Sequence, residues 1–360
     1  MTSRSQSGAI SRRAAVGAVS AGLAATVGSR LATTARAQAA TPTADRAITD
    51  GLSAEILQAF RDVPGTLGLK LWAPENAGQP AWSVEHNPDE KLFIASAFKS
   101  FVLAEALRQL EEAVDPGSST PPEAQIAAGL LQLLPLNDSV FSLDSSVFNP
   151  PHLSGEVSLR TALEAMISHS DNTGADIVLK HVGADKVQAF VDGIGLTQTQ
   201  IPLSTRAFIG YIMGLPDWQN TTWAQLESGQ FPDPRPIMND TISMASSAAD
   251  LVTFYSRALT GGLFQRASSL ATFRAILASS DAIPQVIPLG GNGFGKGGQV
   301  AANGSNGITI AGGIYVPQRW VYFAILQNWS DADGSAAEVM SAYVEAVQST
   351  FRLLQGYFTT

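Results

Sequence analysis

A serine and a lysine three residues apart, Ser96 and Lys99 in the stretch FIASAFKS, could form a nucleophile and its base. A serine hydroxyl attacks a carbonyl only when a neighbouring group takes its proton, and a lysine can do so only when burial or nearby cations lower its pKa. Placed at the first turn of a helix, the pair would share a face, and the free backbone N–H groups there could bind a developing oxyanion. Alone, the same residues read more readily as a helix cap followed by a solvated lysine.

A second polar group lies in SHSDNTGAD, where Ser170, Asp171 and Asn172 follow the amphipathic run LRTALEAMI. Ser170 could relay a proton to a leaving group, and Asn172 could hold an acyl amide through its carboxamide. The plainer alternative is that Ser170 or Asp171 caps the next helix. The third group is FGKGGQV. There Lys296 could supply a fixed positive charge for a substrate carboxylate, and Gly298 would let a ligand lie along a strand. The backbone N–H of Gln299 could serve as a second oxyanion donor beside that of Ser96, although alone the string reads more readily as a glycine-rich turn before a strand.

These groups need elements to position them. SAEILQAFRDV reads as an amphipathic helix capped by Ser53, and GTLGLKLWAP and AWSVEHN as two strands. A Leu- and Ala-rich, mostly helical region runs from about residue 98 to 275. GNGFGKGGQV, GITIAGGIYV and RWVYFAILQNW then read as three antiparallel strands, and GSAAEVMSAYVEAVQSTFRLL as a closing helix. Strands at both ends imply one antiparallel five-stranded sheet built from the two termini and flanked by helices, an α+β fold with an inserted all-helical subdomain. A small-molecule site is expected in the cleft between the two parts.

The chain has 360 residues, 22 Lys and Arg against 31 Asp and Glu, and no cysteine. The basic residues are spread out, so neither nucleic acid nor an anionic membrane is expected as a partner. The lack of cysteine excludes thiol catalysis and thiolate metal sites. The four histidines, at 86, 152, 169 and 181, show no metal-ligand spacing, and no phosphate loop or dinucleotide fingerprint is present. No metal and no cofactor are expected. Residues 1–38 carry the pair Arg12-Arg13, a weakly apolar run and the small-x-small site Ala35-Arg36-Ala37, the pattern of a twin-arginine export signal. With residues 39–50 as a linker, the catalytic domain would cover 51–360, be periplasmic or extracellular, span no membrane and act as a monomer.

Ser-x-x-Lys, Ser-Asp-Asn and Lys-x-Gly in this order form the motif set of class A β-lactamases and penicillin-binding proteins. From about Gly51 to Phe351 the chain resembles the class A β-lactamases, with SDNTGADIVLKHVGADKVQAFVDGIG similar to that family's central helices. The resemblance implies Ser96 as the acylated nucleophile, Lys99 as its partner, Ser170 as proton relay, Asn172 as ligand of the substrate amide and Lys296 as carboxylate anchor. It implies an exported serine hydrolase that opens β-lactam amides, an esterase or D-alanyl peptidase with the same site, or a sensor that stays acylated.

Two departures stand out. The family carries a glutamate after the central helices that activates the deacylating water, whereas the matching stretch TQTQIPLSTRAFIGYIMG places Thr205 or Arg206 there and contains no carboxylate. The hydroxyl residue usual in the third motif is Gly297.

Overall fold

The structure is a computed structural model, and it describes residues 42–359 except 77–78, 288–291 and 317–318. The export-signal motif lies outside the described residues. Strands β1 (Thr66–Ala73), β2 (Trp82–His86), β3 (Leu92–Phe93), β4 (Leu133–Leu136), β5 (Gly155–Ser158), β6 (Ala245–Ser246), β7 (Asn292–Ala302), β8 (Ser305–Val316) and β9 (Arg319–Ser330) form three sheets. The main one is antiparallel with order β2-β1-β9-β8-β7, so the two ends of the chain meet in it.

Strand β9 shows why both faces of this sheet are covered. Val321, Phe323 and Ile325 enter one core while Tyr322, Ala324 and Leu326 enter another, so the strand reads as an almost continuous apolar run. The first core is closed by α1 (Pro42–Ala59) and α12 (Ala336–Thr359), the latter burying Val339, Tyr343, Val347, Phe351 and Leu354 at helical spacing. Tyr343 donates its hydroxyl proton to the Ile325 carbonyl at 2.7 Å, which fixes α12 across the centre of the sheet. Helix α1 begins at Pro42 rather than at Ser53, so most of the stretch read as a linker is helical. Proline is well tolerated in a first helical turn, where its missing N–H costs nothing.

The other face carries the helices α2 (Lys99–Glu112), α3 (Pro122–Leu130), α4 (Leu159–Ser168), α5 (Asn172–Val182), α6 (Ala184–Gly193), α7 (Thr205–Met213), α8 (Trp223–Glu227), α9 (Ala248–Thr260) and α10 (Ala267–Ala278). Helix α2 runs through their centre, with every residue from Lys99 to Leu107 buried, as a helix surrounded on all sides must be. The short helix α11 (Ile283–Val286) leads back into β7. Among the described residues no helix is long and apolar enough to cross a membrane.

Candidate active site

Ser96 is positioned by a short brace. Asn328 on β9 accepts the Phe93 N–H at 2.8 Å and donates to the Phe93 carbonyl at 3.0 Å, while Ile94 donates its N–H to Met244 at 2.8 Å. After this fixed segment Ala95 turns the chain at φ +47°, and Ser96 lies half-buried in a 3₁₀ turn, Ala95–Phe98, that runs straight into α2. Of the six non-glycine residues with positive φ among the described residues, three surround this cleft: Ala95, Asp144 at +57° and Ser170 at +58°. Such conformations cost on the order of 1–3 kcal/mol each and persist where surrounding structure imposes them, often at functional sites.

Lys99, the first residue of α2, is wholly buried. Its ammonium donates to the Ser170 carbonyl at 2.6 Å and to Asn172 Oδ1 at 2.7 Å, with Ser170 Oγ at 3.3 Å. The first and second motifs are thus joined through the lysine. Burial, and secondarily the charge of Lys296, lower the Lys99 pKa to about 7, against the opposing pull of Asp171, Asp176 and Asp144. A lysine tuned to that value is substantially neutral near neutrality and can accept a proton.

The second motif is rigid because Asp171 spends its carboxylate on backbone. It caps α5 through the Gly174 N–H at 2.8 Å and also accepts from Val147 at 2.8 Å and Phe148 at 3.1 Å. Asn172 Nδ2 donates to the Leu143 carbonyl at 2.9 Å, which fixes the amide orientation and leaves Oδ1 toward Lys99. His169 hydrogen-bonds the neighbouring Ser168 hydroxyl at 2.7 Å. Among the described residues no three metal-capable side chains converge.

The third motif lies in the edge strand β7. Lys296 is buried there, its pKa lowered to about 8 by burial, and donates to the Gly297 carbonyl at 2.7 Å. Gly298 packs so closely on the nucleophile turn that a Cβ would overlap the Ser96 nitrogen and come within 2.9 Å of the Ala97 nitrogen. Only glycine fits there without displacing the N–H proposed as an oxyanion donor. Gln299, the next residue, is exposed at the mouth of the same edge.

Several participants escape a sequence reading. Tyr255 on α9 is buried, lies 2.6 Å from the Ser100 hydroxyl and also takes a backbone hydrogen bond from Lys296, so it links the first and third motifs. Asp176 on α5, one turn beyond Asn172, clamps the first turn of α7 by accepting the N–H of Thr205 at 2.6 Å and of Arg206 at 3.0 Å. Burial raises its pKa to about 6. Removing this carboxylate leaves two N–H groups unpaired, so Asp176→Ala is expected to destabilise the protein by about 2–4 kcal/mol, read from denaturant unfolding. An unchanged midpoint would show that the clamp is dispensable.

The clamp fixes the backbone from which Thr205 and Arg206 project in different directions. Thr205 is wholly buried and directs its hydroxyl to Ser142 Oγ at 2.9 Å and the Asn172 carbonyl at 3.3 Å. Arg206 turns away to the carbonyls of Asp138 and Thr221.

The sheet, the helical insert and the Ser-Lys site define a β-lactamase-type serine hydrolase architecture. The chain matches the model of the β-lactamase enzyme family over residues 51–342 and belongs to that family. Its fold is that of a class A β-lactamase from Mycobacterium abscessus, 18% identical with a TM-score of 0.59, covering 84% of this chain and 99% of that one. A class A β-lactamase from Bacteroides cellulosilyticus DSM 14838 is likewise 18% identical, with a TM-score of 0.63, covering 86% of this chain and 98% of that one. A mutant of PBP-A, solved as an acyl-enzyme complex with penicillin G, is 14% identical with a TM-score of 0.59, covering 85% of this chain and 97% of that one. No curated protein matches in sequence.

Proposed function

We propose that this protein is an exported serine acyl hydrolase that opens β-lactam amides through an acyl-enzyme on Ser96 and releases the acyl group slowly. The observation that carries the reading is Lys99, wholly buried, lowered to a pKa of about 7 and held beside Ser170 and Asn172. Neutral Lys99 takes the Ser96 hydroxyl proton as Oγ bonds to the carbonyl carbon, and the oxygen's new charge falls on the N–H groups of Ser96 and Gln299. As the C–N bond breaks, the proton passes from Lys99 through Ser170 Oγ, 3.3 Å away, to the departing nitrogen. Asn172 holds the side-chain amide of the substrate.

Hydrolysis of the ester needs a water and a base to deprotonate it. Thr205 cannot accept that proton at neutral pH, and loss of a general base slows a step by about 10²–10⁴. A chromogenic cephalosporin should therefore give a burst equal to the enzyme concentration, followed by a slow steady rate. Thr205→Glu, rather than Arg206→Glu, should speed the slow phase, because the Thr205 side chain reaches the Asn172 carbonyl whereas that of Arg206 turns to the carbonyls of Asp138 and Thr221. Fast turnover without a burst would remove the slow-release part of the reading.

Gly297, which lacks the third-motif hydroxyl, favours a second reading as an esterase or D-alanyl peptidase with the same Ser96 and Lys99. Parallel assays with a p-nitrophenyl ester separate the two. Steady turnover of either compound would set aside a sensor that acylates once.

A further inference from the structure

The acyl side of the cleft is closed at its far end, and what closes it bears on the acyl groups accepted, an inference that rests on the acyl-hydrolase reading. In that reading the leaving group lies toward Ser170 and Lys296, and the acyl side chain lies past Asn172 and Gln299. Two elements border the space beyond them. Strand β7 continues from Gln299 to its end at Ala302. Helix α7 starts at Thr205, whose hydroxyl reaches the Asn172 carbonyl at 3.3 Å, and passes Phe208, whose ring stacks on Phe93 with centroids 5.6 Å apart, to end at Met213.

The far ends of these two elements are tied together. Asn303 and Gly304, at φ +53° and +78°, form the two-residue turn between β7 and β8, where Asn-Gly supplies the positive φ that such a turn requires. The Asn303 carboxamide donates to the Ile212 carbonyl of α7 at 2.8 Å and to the Arg235 carbonyl at 2.7 Å. Both partners are themselves held. Arg235 donates its own N–H to the Ile212 carbonyl at 3.0 Å and lays its guanidinium 4.7 Å over the Tyr211 ring. On the other side of the turn, Asp331 donates its N–H to the Gly304 carbonyl at 3.1 Å and accepts Asn306 Nδ2 at 2.8 Å. Four residues of strand separate Gln299 from Asn303, about 13 Å, and seven helical residues separate Thr205 from Ile212, about 10 Å. Val300 and Ala302, on the same face of β7 as Gly298, join the apolar cluster that contains Phe208 and Ile212. The gap between strand and helix therefore ends a short way from the nucleophile, at a tie backed by apolar side chains.

We propose that Asn303 sets the length of acyl chain that Ser96 accepts: by tying the β7–β8 turn to the end of α7 it closes the acyl side of the cleft, so that short chains enter and long ones are excluded. The test uses the full chain with p-nitrophenyl acetate and p-nitrophenyl octanoate, acylation being read as the rate of the p-nitrophenol burst and corrected for each ester's reaction with hydroxide. The wild-type protein should react with the acetate faster than with the octanoate by about tenfold or more. Asn303→Gly keeps the positive φ of the turn and removes the carboxamide. Asn303→Asp keeps a turn-forming residue but sets an acceptor against two carbonyls. Both variants should raise the octanoate-to-acetate ratio by about fivefold or more, whereas a general loosening of the fold lowers both rates and leaves the ratio where it was. Wild-type acylation by the octanoate as fast as by the acetate, or a ratio unmoved in both variants, overturns the inference while leaving the hydrolase reading intact. If neither ester nor a fluorophosphonate modifies Ser96, the hydrolase reading fails and this inference with it.

Discussion

Ser96→Ala should abolish covalent labelling by a fluorescent penicillin or a fluorophosphonate, a loss of about 10⁴-fold or more in acylation rate. The expectation rests on convergence. Ser96 is the half-buried hydroxyl at the head of α2, its N–H abuts Gly298, and the lowered Lys99 follows it by three residues. Ser170 is the obvious rival, since its Oγ lies 3.3 Å from Lys99 Nζ. It sits on the second motif, however, away from the N–H donors of the nucleophile turn, where no oxyanion on its own adduct would be stabilised. Ser170→Ala should therefore keep the label on Ser96 and slow its arrival. Labelling of Ser96→Ala at the wild-type rate would remove Ser96 from the mechanism.

Lys99→Ala should slow acylation by about 10²–10⁴, the value of a lost general base, and should change the pH profile as well as the rate. With the Lys99 pKa lowered to about 7, the neutral fraction rises with pH through that value, so wild-type acylation should rise along a limb centred there. The limb should be absent in Lys99→Ala. The same shift carries a stability consequence. A buried lysine whose folded pKa lies below its unfolded value near 10.5 opposes folding at and below pH 7, and that penalty fades as pH rises toward 10.5. Lys99→Met should thus raise stability at pH 7, by about 1–4 kcal/mol if it behaves as other replacements of buried charge by apolar side chains do. Calorimetry of Lys99→Met beside acylation kinetics of Lys99→Ala would reveal both effects. Unchanged acylation kinetics would exclude Lys99 as the base.

How much of this was legible in the sequence depends on the range over which each feature is determined. The sheet could be read because β1, β2, β7, β8 and β9 each carry their own apolar pattern and their own joints of glycine or asparagine. Ser96, Lys99, Ser170, Asn172 and Lys296 could be read because their chemistry is written in short strings. The structure brings Lys99, Ser170 and Asn172 into direct contact and sets Gly298 against Ser96. Tyr255 could not be found, because its partner Ser100 is 155 residues away and a tyrosine in a helix carries no local mark of that contact. The different directions of the Thr205 and Arg206 side chains are hidden for a similar reason, since their partners Ser142, Asp138 and Thr221 lie in other segments. The start of α1 is not legible because Pro42 and the polar residues after it resemble a linker, whereas the helix extends back to include them.

Mass spectrometry of the intact protein after mixing with excess benzylpenicillin, followed by peptide mapping, tests the central claim most directly. The account predicts an increment equal to the whole ligand, persisting for minutes or longer, on the peptide containing Ser96. Turnover of benzylpenicillin with no detectable adduct, or an adduct mapped to any residue other than Ser96, would contradict it.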